Sequence, residues 1–213
     1  MKVLLLADAH GDYRRIPSIL ERAGRVDACV MAGDLTNFGP ASLAETLVEM
    51  LPAPLLAVAG NCDPRQVHES VERAGGLCLH GDVHTLGGVV FMGMGGSNPT
   101  PFNTPFELEE EEMSAILARM MEQSEGLGGM RVLVSHAPPY GVQDEVGRGH
   151  VGSHAVAAML GRVDAILCGH IHEAWGISTV KGTTVVNPGP AFEGRAAVVW
   201  LDDGVRAELL EVD

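Results

Sequence analysis

The chain has 213 residues, 46% of them hydrophobic and 27 of them glycine, which suits one turn-rich globular domain over residues 1–213. No apolar stretch approaches the roughly 20 residues needed to span a membrane. With 28 Asp and Glu against 14 Lys and Arg, a formal charge of −14, the chain should repel nucleic-acid polymers, whose binding needs clustered basic residues.

Lys2–Ala7 reads as a buried first strand, not a signal core, because Asp8, His10 and Asp12 follow at once with no cleavage pattern. Asp8 and His10 are two apart, so an extended chain projects both to one side. Gly11 allows a sharp turn, and Asp12 is expected to cap a helix over Tyr13–Ala23. A second apolar strand, Asp27–Ala32, ends in Gly33-Asp34; alone, that pair reads as a turn. A helix over Pro40–Leu51 is stopped by Pro52 and Pro54. The third strand, Leu55–Ala59, ends in Gly60-Asn61-Cys62-Asp63-Pro64. There Asp63 suits an N-cap before a first-turn proline, while Asn61 has no such structural role. Alternating strands and helices of this kind predict right-handed βαβ units.

The pattern then changes. Leu77–Leu79, Val83–Leu86 and Val89–Gly93 are short runs between Gly-Asp and Gly-Gly turns, which predict antiparallel hairpins. His80 and His84 there are expected to be ordinary surface or core residues. Residues 95–103 form a long loop with few local signals. Thr104, Pro105 and Glu107 make a capping-box pattern opening a helix to about Ser124, with Glu109–Glu112 as its solvated acidic start. A strand over Met130–Val134 leads to His136, and a loop carrying Arg148 and His150 follows. Ser153 is expected to cap a short helix to Leu160. The strand Val163–Cys168 ends in Gly169-His170-Ile171-His172. Beyond it, Trp175–Val180, Thr183–Val186, Ala196–Leu201 and Val205–Leu210 read as a second antiparallel set, interrupted by the rigid turn Asn187-Pro188-Gly189-Pro190.

Cys29, Cys62, Cys78 and Cys168 are scattered, with no Cys-x-x-Cys pair, which points to reduced thiols and a cytoplasmic protein. Five strand ends carry seven side chains that can bind metal: Asp8 and His10, Asp34, Asn61, His136, and His170 with His172. Core packing does not explain such a set. Imidazole, carboxylate and amide together suit Mn, Fe, Zn, Co or Ni better than Mg or Ca alone. Seven donors exceed one tetrahedral site and serve two ions if one carboxylate is shared.

The ordered motifs Asp8-x-His10, Gly33-Asp34, Gly60-Asn61-x-Asp63, His136 and Gly169-His170-x-His172 resemble those of the calcineurin-like metallophosphoesterase superfamily. Their order and spacing are similar to its small bacterial and archaeal phosphodiesterase branch. The resemblance implies an α/β fold, a four-layer αββα sandwich of two mixed sheets flanked by helices. It implies two divalent ions, with Mn preferred and Fe, Zn, Ni or Co as alternatives. Asp8, His10, Asp34 and His172 would hold the first ion, and Asp34, Asn61, His136 and His170 the second, with Asp34 as the bridge and Asp34, Asn61 and His136 at the catalytic centre. It further implies hydrolysis of a small phosphate ester by a metal-bound hydroxide, the ions lowering the pKa of water from ~15.7 toward ~7. Against Asp8 and Asp34, two divalent ions leave a surplus of about two positive charges to attract phosphate.

One position departs from the pattern. Many members carry histidine directly after the asparagine, where it helps the leaving group depart; here Cys62 stands there, as is common in the small branch, and His150, His154 or a metal-bound water are the candidates to replace it, with nothing in the sequence selecting among them. Esters with acidic leaving groups, such as aryl phosphodiesters, are therefore expected to react best. Substrate contacts are expected from the loops that hold Asn98, Arg148 and His150. Two other readings compete. One is a non-catalytic scaffold of the same fold, as the retromer subunit is, which need not keep seven ligands. The other is a DNA nuclease, against which the charge of −14 weighs. The substrate, the native metal and any homo-oligomer are left open.

Overall fold

The computed structural model describes residues 1–52 and 54–213. In chain order the elements are β1 Lys2–Leu6, α1 Ile16–Ala23, β2 Ala28–Ala32, α2 Leu43–Met50, β3 Leu55–Val58, α3 Val67–Arg73, β4 Leu77–Cys78, β5 Val83–Leu86 and β6 Val89–Met94. After them come α4 Glu110–Gln123, β7 Met130–Ser135, β8 Glu145–Val146, β9 Gly149–His150, α5 His154–Ala157 and β10 Ala165–Leu167. The chain closes with β11 Gly176–Val180, β12 Thr183–Asn187, β13 Arg195–Leu201 and β14 Val205–Glu211.

Two six-stranded mixed sheets result. The first has the order β14-β13-β1-β2-β3-β4 and the second β11-β12-β10-β7-β6-β5, with β8-β9 as a small separate hairpin. The sandwich expected from the sequence is the one observed. Its cause is visible in β1. Val3, Leu5 and Ala7 pack in a core shared with Phe91, Val132, Val134 and Leu167 of the other sheet. Leu4 and Leu6 belong to a second core with Ile16, Ile19 and Leu47 of the covering helices. Both faces are buried, so the strand reads as an unbroken apolar run instead of alternating. The pattern repeats in β2, where all five residues are buried.

Several expected elements differ. The four C-terminal strands are not one antiparallel set. β11–β12 joins the second sheet, with β12 parallel to β10, while β13–β14 joins the first, antiparallel to β1. The Asn187–Pro190 turn carries the chain between sheets. β4 is a parallel neighbour of β3 and not a hairpin arm, since it follows α3 as a crossover. α1 begins three residues later than expected, because Asp12 turns back on Arg14 by accepting its backbone N–H at 3.2 Å. α2 is entered through short-range bonds such as Leu43 N to Pro40 O, which keep residues 40–42 outside the helix.

α4 also begins late. Thr104 and Glu107 do pair as a capping box would, with Thr104 N donating to Glu107 Oε1 at 2.8 Å. Phe106, however, is buried, and its carbonyl accepts from Ser97 N, so residues 106–108 lie along Ser97 and the helix waits until Glu110. Within the acidic start, Glu110 is not simply solvated. Its carboxylate accepts from Ser153 Oγ at 3.0 Å, His154 N at 3.0 Å and Ala155 N at 2.7 Å, covering the start of α5. Ser153 caps α5 as expected, accepting from Val156 N.

Candidate metal centre

The seven donor-bearing residues all follow the carboxyl ends of parallel strands: β1, β2 and β3 from one sheet, β7 and β10 from the other. The strand-end loops are stitched together by their backbones. Asp8 N donates to Gly33 O, His10 N to Asp34 O, and Gly169 N to His136 O. Four of the seven, Asp8, His10, Asp34 and His170, take left-handed backbone conformations with φ between 48° and 71°. Asp, Asn and His tolerate this region better than other residues, yet it costs energy and persists where tertiary packing fixes it. Glycine is required beside them. A Cβ on Gly60 would collide with the Asp34 carboxylate, and one on Gly33 with the His136 ring.

The side chains converge. Asp34 Oδ2 lies 3.6 Å from His10 Nε2 and 3.5 Å from His136 Nε2. His172 Nε2 lies 3.3 Å from His10 Nε2 and 3.7 Å from Asp8 Oδ1. Asn61 Oδ1 lies 2.8 Å from His136 Nε2, and the His170 ring centre is 5.0 Å from that of His136. Asp34 therefore stands between the two histidine groups, while its Oδ1 accepts from Cys62 N at 2.8 Å. Asp8, Asp34 and His136 are buried, and His10 and His172 are half-buried.

The chemistry of this donor set fits a cation. His136 Nδ1 lies 2.8 Å from the carbonyl of Ala32, which can only accept, so the ring hydrogen sits there. A neutral His136 then turns the Nε2 lone pair toward Asn61 Oδ1 and Asp34 Oδ2. The Asn61 amide is itself oriented, because Nδ2 donates to Thr104 Oγ1 at 3.0 Å and Thr104 donates to Glu107. Lone pairs facing one another repel unless a positive charge lies among them. The same preference for positive charge shows in His136, which burial lowers but the Asp34 carboxylate raises to about 9. Asp34 itself is held well below the usual carboxylate range, its burial outweighed by His136. His170, by burial and then by the neighbouring His136, falls to about 4 and offers a free lone pair.

Cys62 also approaches His10 and Asp34, and burial, then the Asp34 charge, push its thiol up.

Two residues read differently from the sequence. Asp63 is not an N-cap; that place falls to Gln66. Asp63 is fully buried and accepts from Gly60 N at 2.8 Å, Leu35 N at 3.0 Å, Thr36 N at 2.7 Å and Thr36 Oγ1 at 2.9 Å. It thus clamps the Asp34 loop to the Asn61 loop. Burial and the Asp34 charge still raise it to about 6. Asn187, read only as part of a turn, is buried and donates to Ile171 O at 2.9 Å between His170 and His172. Its strand-end amide matched Asn61 in kind and was the signal available.

Of the proposed substrate residues, Asn98 and His150 line a cavity that His170 also borders. Arg148, in the β8–β9 turn, is exposed and does not line it.

Imidazole, carboxylate and amide donors at the strand ends of two packed sheets define a candidate divalent-metal centre. The family model of the calcineurin-like phosphoesterase superfamily domain matches residues 1–200. An uncharacterized protein of Methanocaldococcus jannaschii is 33% identical over 217 residues, covering 95% of this chain and 96% of that one. Protein TT1561 of Thermus thermophilus has a similar fold, with TM-score 0.72 and 17% identity over 97% of each chain. A putative 5'-nucleotidase from Staphylococcus aureus, TM-score 0.65 and 15% identical, matches 99% of this chain with 54% of its own. The chain belongs to the calcineurin-like phosphoesterase superfamily, whose general chemistry is metal-dependent hydrolysis of phosphate esters.

Proposed function

We propose that the protein is a phosphodiesterase that works with two divalent ions, Mn preferred, in the cytoplasm. The observation that carries this reading is the grouping of Asp8, His10, Asn61, His136 and His172 about Asp34, with the His170 ring centre 5.0 Å from that of His136. Asp8, His10, Asp34 and His172 are assigned to one position, and Asp34, Asn61, His136 and His170 to the other. Bound there, divalent ions supply Lewis-acid activation of water and neutralise phosphate charge.

The chain's own residues do the rest. Asp34 contributes the carboxylate common to both positions. The Ala32 carbonyl fixes the His136 tautomer, and Thr104 fixes the amide of Asn61. Donors so oriented cost little reorganisation when ligand arrives. Beside Asn61, Cys62 stands where many members of the superfamily carry histidine and is a poor substitute for protonating the leaving group. Aryl phosphodiesters should then react faster than alkyl monoesters.

The test is an activity screen over phosphomonoesters, linear and cyclic phosphodiesters and nucleotides, with Mn, Ni, Zn, Co and Mg in parallel. Hydrolysis that disappears with chelator and returns with metal is expected, with rates falling as leaving-group pKa rises. Metal-loaded protein inert toward every ester would overturn the catalytic reading. Equal rates across the leaving-group series would overturn the role given to Cys62.

A further inference from the structure

Of the seven large apolar side chains exposed among the described residues, four line one cavity: Phe102, Tyr140, Val146 and Val151. Phe102 is 79% exposed, an unusual state for a phenylalanine with nothing to do. The cavity measures about 720 Å³ and is bordered by His170 of the candidate metal centre. That volume falls within the roughly 300–1,000 Å³ of organic-ligand sites and far exceeds what a phosphate group needs.

The walls are built, not incidental. The Tyr140 ring stacks on His154, with ring centres 4.1 Å apart and planes 25° apart, and meets His150 edge-on at 5.6 Å. His150 is held in turn by the buried Asp144, Nδ1 to Oδ1 at 2.7 Å. Asn98 Nδ2 donates to Val151 O at 3.1 Å and ties the loop of Phe102 to the loop of Val151. Among the described residues no lysine or arginine lines the cavity; of its two carboxylates, Glu110 is engaged by the start of α5 and Glu173 is exposed at its border. A second phosphate or a carboxylate would find no cation there. Ring faces and β-branched methyls on braced loops suit a flat, rigid group better than a flexible chain.

We infer that this cavity receives an uncharged aromatic ring of the ester, seated against Phe102 and Tyr140 while the phosphate lies at the His170 side. The phosphate part rests on the function proposed above; the ring site does not.

The test therefore begins on the full chain stripped of metal by chelator, titrated by calorimetry with umbelliferone, adenosine and hexanol. At least one ring compound should bind more tightly than hexanol. Phe102→Ala and Tyr140→Ala should each weaken it about fivefold. Leu127→Ala, an exposed apolar truncation elsewhere, should not. Tighter binding of adenosine identifies a nucleotide-type ester, and of umbelliferone a simple aryl ester. In the Mn-loaded protein, phenylphosphonate should bind more tightly than methylphosphonate, and Phe102→Ala should erase the difference. Absence of ring binding, binding indifferent to both truncations, or hexanol equal to the rings would overturn the inference even if esters are hydrolysed. Ring binding in a protein that hydrolyses nothing would instead sink the catalytic reading alone.

Discussion

Asp34→Asn is the sharpest test of the centre, because it changes charge at nearly constant shape. The amide can keep an oxygen where Oδ1 accepts from Cys62 N, and it fits the same space against Gly60, so the fold should survive. What is lost is one of the two carboxylates of the site, the one lying 3.6 Å and 3.5 Å from histidine nitrogens on either side. At ~4 Å and an effective dielectric near 20, each unit charge pair is worth about 4 kcal/mol before desolvation is subtracted. Even a third of that, applied to a divalent ion at each position, lowers both affinities on the order of 10²-fold. His10→Ala removes one neutral donor from one position. Metal content after dialysis, read by elemental analysis, should fall below one ion per chain for Asp34→Asn. It should stay near one for His10→Ala, and turnover should fall further for Asp34→Asn. Two retained ions and near-normal turnover in Asp34→Asn would refute the bridging assignment.

Gly60→Ala should be costly despite its small size, since the new methyl meets the Asp34 carboxylate and backbone N. A loss of about 1–3 kcal/mol in urea unfolding is expected, together with weaker metal retention. Asn187→Ala frees the Ile171 carbonyl between His170 and His172, and should lower metal affinity roughly 10- to 100-fold with little change in the far-ultraviolet spectrum. His80 gives a pH prediction. Burial, then His68, lowers it to about 4 from the 6.5 of an unfolded histidine, and its Nδ1 accepts from Gly95 N. The unfolded chain therefore takes up this proton first as pH falls. Its contribution is complete above pH 6.5 and declines toward pH 4, by up to about 1 kcal/mol per pH unit. His80→Asn should flatten that part of the stability profile; an unchanged slope would show that His80 is not held neutral.

The strands were legible because two buried faces leave no choice but continuous apolar residues, as in Val3–Ala7 and Ala28–Ala32. The proposed donors could be picked out because each is a metal-binding side chain just beyond such a run with no local capping role to account for it. Asp8, His10, Asp34, Asn61, His136, His170 and His172 could be picked out one strand end at a time. What the sequence could not hold was position relative to distant segments. Asp63 looked like a cap because proline follows it; only the folded chain brings Leu35 and Thr36 within reach of its carboxylate. Thr104 and Glu107 carried a valid local signal, but burial of Phe106 in the core outweighed a first turn of helix. The C-terminal hairpins were legible as hairpins, yet their division between two sheets depends on which edges stay open after the parallel strands assemble. The aromatic cavity likewise has no sequence signature, since Phe102, Tyr140 and Val151 meet only when the two loops fold over the His170 strand end. Local chemistry determined what each residue could do, and tertiary packing decided which of them do it together, because side-chain type is a property of one position and proximity is a property of the whole chain.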